Sequence, residues 1–359
     1  MYEQLYARAD ILVPVGHQWD IIEVKSSTDV KDQHIDDISF QKYVYEKAGL
    51  QIRNCSIMYV NRNYIKQGII DLEQFFITQD VTSLLKDVEG TLETMFEMLN
   101  SNIPLIKIGK QCRSPYPCPV TSCWSHLTSG NVFELYRGGN TSFELHDGGI
   151  LLLKDINDDF KLTLPQNIQV ACAKTGEVHV DKEGIGNFLK QLQEPLSYLD
   201  FETFNTAVPL FDGTKPYQQI PFQFSLHMVE QGKVEHFSYL AEGGSDPRLT
   251  FLEELQKVLR DTGSIVVYNK SFEEARLKEL GEAFPSYKDW ITQVIKRFVD
   301  LMIPFRNFDY YNSLQEGSCS IKKVLPCFSS KNYLDLEIGK GDVASILYFK
   351  THYGNDVAE

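Results

Sequence analysis

The chain has 359 residues, 43% of them hydrophobic and 23% charged, and a formal net charge of −14. That length supports two domains with cores of their own, and that balance excludes a disordered or fibrous chain. No stretch forms a basic module, which argues against a grip on nucleic acid by bulk electrostatics, although carboxylates clustered around a metal would add to the negative total and a narrow basic groove can sit inside it. No apolar run is long enough for a transmembrane helix, and no charged n-region with an apolar h-region opens the chain, so the expected location is the cytoplasm, with no membrane association. Seven cysteines, an odd number, argue against a disulfide framework and for free thiols plus a metal or cluster site.

In chain order, residues 6–15 and 19–25 read as two short strands around a turn at 14–16. Residues 30–48 place Ile35, Ile38, Tyr43, Val44 and Tyr45 among charges and stop at Gly49, which predicts an amphipathic helix. A third strand is expected over 52–59, a second amphipathic helix over 81–99, and a cysteine-containing loop over 112–123. Residues 126–193 hold turn signals at Gly138-Gly139 and Gly148-Gly149 and several helix-like pieces, 182–192 among them, and read as a helical connector. After Pro195 the pattern is strand (196–201), hairpin (223–229 and 234–240 across Gln231-Gly232), helix (249–259), buried strand (264–268) and helix (272–280). The expected class is α/β, with a first domain at 1–125, the connector at 126–193 and a second domain at 194–359.

Asp10 ends one strand of the expected hairpin, and Glu23-Val24-Lys25 lies on the other, with Glu23 and Lys25 on one face. A carboxylate pair can hold a divalent cation, and a lysine beside it can orient the attacking water and stabilise charge on phosphate, as phosphodiester hydrolysis needs. A lysine at a strand end is expected to contribute little to the core. Gln41 and Tyr45, at i and i+4, share a helix face. This order resembles the PD-(D/E)xK nucleases, and among them the RecB-like branch that includes the CRISPR-adaptation exonucleases. The resemblance implies a restriction-endonuclease-like fold in which Asp10 is the first carboxylate, Glu23 and Lys25 the (D/E)xK pair, and Gln41 and Tyr45 the Gln-x3-Tyr motif. The plain alternative is a surface hairpin with a Glu23–Lys25 salt bridge.

Cys112, Cys118 and Cys123 lie in a proline-dense loop, and three adjacent thiolates are costly unless a metal takes them. In the RecB-like branch such a trio joins an earlier cysteine around a [4Fe–4S] cluster; the resemblance implies that cofactor, with zinc or three free thiols as the alternatives. The earlier Cys55 sits within an apolar strand and reads as core. The usual fourth ligand would therefore lie upstream of Met1, and this domain is expected to be truncated at its N-terminus relative to the family. Cys172, Cys319 and Cys327 are assigned to no site.

The sharpest signal is Leu199-Asp200-Phe201-Glu202-Thr203, an apolar strand that delivers two carboxylates at i and i+2 on one face. Such a pair can share metal ions and activate water for in-line attack on phosphate. It resembles the first motif of the DEDD exonucleases, which have an RNase H-like fold. Their second motif is matched by Asn269-Lys270-Ser271-Phe272-Glu273, with Glu273 where aspartate is usual and Glu274 as the alternative if the register slips. Phe298-Val299-Asp300-Leu301 is similar to a following strand whose aspartate supports the site. The last acid has no good match: Asp342 precedes a helix-like 343–353, Asp356 stands one residue short of the spacing, and the true residue is expected beyond Glu359.

The combination resembles an uncharacterised bacterial family that fuses these two nuclease domains, and Gly317 to Pro326 is similar to it as well. The resemblance implies a metal-dependent nuclease using Mg²⁺ or Mn²⁺ at Asp10 and Glu23 and at Asp200, Glu202 and Glu273. It would act on nucleic acid, DNA favoured over RNA, in repair or defence. The rival expectation is a non-catalytic nucleic-acid-binding or scaffold protein with decayed sites.

Overall fold

The computed structural model describes residues 4–354 and shows a mixed α/β protein with several sheets. It divides into two compact units: Met1–Leu105 with Asn205–Gln219, and Ile106–Phe204 with Ile220–Glu359. No described helix is long and apolar enough to cross a membrane.

The first unit is built on β1 (Ile11–Val15), β2 (Gln18–Lys25), α1 (Asp32–Lys47), β3 (Ile52–Val60), α2 (Leu72–Phe75), β4 (Phe76–Asp80) and α3 (Glu89–Leu99). Its sheet runs β1-β2-β3-β4, antiparallel at both edges and parallel between β2 and β3. A parallel pair needs a crossover, and α1 supplies it. Ile35 and Ile38 of α1 press on Ile21, Cys55 and Ile57 of the sheet. Burying a side chain such as Ile21 or Ile57 stabilises the unit by about 1.5–3 kcal/mol relative to exposure. The helix expected over 81–99 starts only at Glu89: Val81 is fully buried, Leu85 packs on the same core, and the Thr82 hydroxyl accepts from the Cys55 amide at 2.9 Å. The chain is drawn into the core there and has no helical phase to follow.

The second unit comprises α4 (Gly139–Asp147), α5 (Leu164–Thr175), β5 (His179–Val180), α6 (Lys182–Leu189), β6 (Leu196–Phe204), β7 (Ile220–Glu230), β8 (Lys233–Leu240), α7 (Arg248–Val258), β9 (Ile265–Val267), α8 (Ser271–Ala283), α9 (Lys288–Lys296), β10 (Phe298–Asp300), α10 (Ile303–Arg306), β11 (Tyr310–Tyr311), α11 (Ile321–Val324) and α12 (Gly341–Tyr353). The helical pieces expected over 126–193 are present, interrupted by β5, which pairs with β11. The main sheet runs β10-β9-β6-β7-β8. β6, β7 and β8 form an antiparallel meander, turned at Gln231 and Gly232, which both adopt positive φ, as a two-residue type I′ hairpin requires. β9 and β10 return parallel to β6 by way of α7 and then α8–α9.

Strand alternation decides the faces of β6. Leu199 and Phe201 point into a core completed by Phe251, Leu252 and Leu255 of α7, Leu277 and Leu280 of α8, and Ile291 and Val294 of α9. Tyr198, Asp200 and Glu202 take the opposite face. β9 pairs with β6 only at Ser197 and Tyr198, so the two acids stand beyond that pairing, at the C-terminal end of the strand. A register shift between Glu202 and Thr203 then ends the alternation, and Phe204 turns inward against Tyr348 of α12.

Candidate functional site

The C-terminal ends of the three parallel strands bring the acids of the second unit together, the place where open α/β sheets leave a crevice. β6 contributes Asp200 and Glu202, the turn after β9 leads to Glu273 in the first turn of α8, and β10 ends at Asp300. Asn269, at φ 75°, makes the tight turn between β9 and α8, and its amide donates to Asp300 Oδ1 at 2.9 Å. The Met302 amide donates to the same oxygen at 3.0 Å. Asp300 is thus held by the backbone on both sides and supports the turn that carries Glu273.

Glu273 is 2% exposed, and its Oε2 has no hydrogen-bond partner. Burial pushes its carboxyl up to about 7; a backbone hydrogen bond opposes this, repulsion from Asp200 and Asp300 adds to it, and Arg276 pulls the other way. Solvent reaches Asp200, yet the protein packed around it raises its carboxyl from the usual range. Glu202 is raised by burial and then by Asp200, with Lys322 pulling the other way. Among the described residues none of these three acids has an ion-pair partner. Glu274, by contrast, is taken by Lys278 at 2.6 Å and Lys270 at 3.9 Å, so the helix phase directs Glu273 to the acids and Glu274 away from them.

Two further elements border this cluster. The N-terminus of α12 approaches Glu202 so closely that a Cβ on Gly341 would lie 3.0 Å from Glu202 Oε2, and Ser345 of the same helix donates to the Thr203 carbonyl at 2.5 Å. Asp342 is exposed and accepts from the adjacent Val343 amide, and Asp356 lies outside the described residues. Tyr333 is half-buried, and its phenol is raised by burial and by the charges of Asp200 and Glu202. Lys322 of α11 lies 5.5 Å from the centre of the Tyr333 ring. Sequence reasoning missed both residues, since nothing local links positions 322 and 333 to position 200.

The first unit gathers a second polar cluster. Asp10 lies just before β1 and does not end a strand; its Oδ2 accepts from the Val24 amide at 2.9 Å. Lys25 Nζ donates to Glu23 Oε1 at 2.7 Å and to Asp37, and Gln41 Nε2 donates to Glu23 Oε2 at 2.8 Å and Asp37 Oδ1 at 3.3 Å. Glu23 and Gln41 are buried, and Gln41 Oε1 is left unpartnered. Tyr45 accepts from the Ala9 amide at 2.9 Å, beside Asp10. Asp37, four residues before Gln41 on α1, was not singled out from the sequence, although the i, i+4 spacing carries the signal. Burial pushes its carboxyl up, but Lys25, Gln41 and Glu23 together hold it below the usual carboxylate range.

The cysteine loop groups with the second unit. Arg113 organises it, its guanidinium 5.5–5.9 Å from the rings of Phe143, Phe133 and Trp124. Cys112 is half-buried and Cys118 and Cys123 are exposed. Among the described residues no three His, Cys, Asp or Glu side chains stand together as a metal-binding group, neither these thiols nor the acids as they are placed. Cys55 is fully buried in the first core, where burial pushes its thiol up to about 11.

Asp200, Glu202, Glu273 and Asp300 all fall in one recognisable stretch. Residues 197–320 match a domain of unknown function, DUF2779. The chain is also similar to the uncharacterized protein MG366 of Mycoplasma genitalium, 30% identical over 363 residues that cover 84% of this chain and 54% of the relative. Its homolog in Mycoplasma pneumoniae is 32% identical over 193 residues, covering 46% and 29%, and the uncharacterized protein UU173 of Ureaplasma parvum is 28% identical over 237 residues, covering 59% and 33%. The chain thus spans about half or less of the length of these curated relatives. No solved structure matches.

Proposed function

We propose that this protein is a nuclease-type phosphodiester hydrolase that depends on a divalent cation, with its reaction centre at Asp200, Glu202 and Glu273. The observation that carries this is Glu273: a buried carboxylate with an unpartnered oxygen, in the field of Asp200 and Asp300 and itself in no ion pair among the described residues. Buried charges persist when they are paired or coordinate a metal. A set of carboxylate oxygens suits Mg²⁺ or Mn²⁺. Asp200, Glu202 and Glu273 would hold the ions, which would polarise the phosphoryl oxygen and activate water for displacement at phosphorus. β6 fixes the first two carboxylates by alternation, the Asn269 turn and Asp300 position the third, and water supplies the oxygen that replaces the broken P–O bond.

Three antiparallel strands followed by two parallel ones, with the acid pair on the central strand, support an RNase H-like domain of the DEDD 3′–5′ exonuclease type. The meeting of Glu23, Lys25 and Gln41, with Asp10 bound to the Val24 amide between the first two, supports a second, RecB-like PD-(D/E)xK centre in the first unit, and DNA is the favoured substrate of both. No step is assigned to the cysteines.

The test is to incubate the protein with 5′-labelled single-stranded DNA and RNA in Mg²⁺ or Mn²⁺. Shortening from the 3′ end is expected, abolished by EDTA and slowed about 100-fold or more by Asp200→Asn, since metal-mediated charge stabilisation is worth several kcal/mol. Tight substrate binding with no hydrolysis in any metal, on any end structure, would overturn the enzymatic reading in favour of a binding role.

A further inference from the structure

The wall of the acid cluster formed by residues 322–341 has a composition the hydrolytic centre itself does not require. Lys322 and Lys323 are adjacent on α11, yet they part company: Lys323 is engaged by Glu316, whereas Lys322 turns over the ring of Tyr333, 5.5 Å from its centre, within cation–π range. Lys322 is exposed, forms no ion pair among the described residues, and is the cation whose charge reaches Glu202. Tyr333 stands within the field of both Asp200 and Glu202 and is half-buried. Gly341 leaves the space beside Glu202 free of a side chain. An aromatic face, a lone ammonium and the acid cluster therefore lie together in one wall.

We propose that Tyr333 and Lys322 form the seat of the terminal nucleotide of a single strand, the ring stacking on the base and the ammonium meeting its phosphate. This rests on the hydrolytic reading of Asp200, Glu202 and Glu273 and names its substrate class. A nucleotide carries both complements, a flat π face and an anion. Stacking on a protein ring is open only to a base that has left its own duplex, so an unpaired end is selected over a blunt one. Stacking is also tolerant of base identity, so no strong sequence preference follows.

The experiment measures anisotropy of a labelled ten-nucleotide oligothymidylate with Ca²⁺ in place of Mg²⁺, alongside Mn²⁺-driven cleavage kinetics. Tyr333→Ala is expected to weaken binding about 5- to 150-fold, the range that one base–aromatic stack commands, with Tyr333→Trp restoring it. Lys322→Ala is expected to lower the salt dependence of binding by about 0.7 in log–log slope, one phosphate contact to a single strand, and to raise KM by more than it lowers kcat. A blunt duplex should bind more weakly than the single strand. If Asp200→Asn abolishes cleavage while Tyr333→Ala and Lys322→Ala leave affinity and KM as in the wild type, the seat is refuted and the centre stands. If the wild type neither binds nor cleaves the oligonucleotide, both are refuted.

Discussion

Glu273→Gln keeps the shape of a buried side chain and removes its titration. In the folded protein this carboxyl is pushed up to about 7, against an ordinary glutamate value of 4.5, chiefly by burial and then by Asp200 and Asp300. The folded state therefore holds the proton across a pH range in which the unfolded chain has released it. Stability associated with that proton is fully present below about 4.5 and is lost as pH rises through about 7. At 1.36 kcal/mol per pH unit, the loss amounts to about 1 kcal/mol at pH 5 and about 3 kcal/mol at pH 8. Glutamine has no such loss, so urea unfolding in EDTA should show Glu273→Gln more stable than the wild type by about 2–3 kcal/mol more at pH 8 than at pH 5. Added Mn²⁺ should narrow the gap at pH 8, because a cation restores the reason for the charge. An equal difference at both pH values, or a mutant less stable at pH 8, would refute the assignment of Glu273 as an uncompensated buried acid.

Other substitutions probe neighbouring features. Gly341→Ala places a methyl 3.0 Å from Glu202 Oε2 and should weaken Mn²⁺ binding several-fold in calorimetry while shifting unfolding by less than about 1 kcal/mol; unchanged metal affinity would detach α12 from the site. Lys25→Ala should destabilise the protein by about 1–3 kcal/mol in urea, because Glu23 is buried and, among the described residues, keeps Gln41 alone as a side-chain donor. That replaces the expectation that a strand-end lysine matters little, and a change below about 0.5 kcal/mol would restore it. Arg113→Ala should lower stability by about 1–2 kcal/mol through lost contact with three rings, whereas a neutral outcome would leave the loop to its cysteines. Because the three thiols do not stand together as a ligand group among the described residues, iron and zinc analysis and visible absorbance of anaerobically purified protein, with Cys118→Ser as control, should show an empty or zinc-filled loop, and iron lost on that substitution would reverse this.

Periodicity alone determined much of the second unit. An apolar run ending in Asp-x-Glu must place both carboxylates on one face, because side chains alternate along a strand, and β6 does so. Gln231-Gly232 between two β-rich runs predicted the hairpin that β7 and β8 form. In the first unit the pattern of Ile35, Ile38 and Val44 was enough for α1, whose crossover places Gln41 against Glu23. Other elements left no local trace. β4 is an edge strand exposed along most of its length, so it lacks the alternation that marks a half-buried one. Val81 and Leu85 look helical in a window of apolar residues, but the core they fill was out of view.

The choice between Glu273 and Glu274 shows where sequence stops. Adjacent residues on a helix point about 100° apart, and which one meets Asp200 depends on how α8 is phased against the sheet. The same holds for the raised carboxyl of Glu273, which exists only because packing removes water from it, and for Tyr333 and Lys322, brought to the acids by folding from more than a hundred residues away. Side-chain period and turn propensity are properties of neighbours in the chain. Desolvation and charge–charge repulsion belong to neighbours in space, and only the tertiary structure decides who those are.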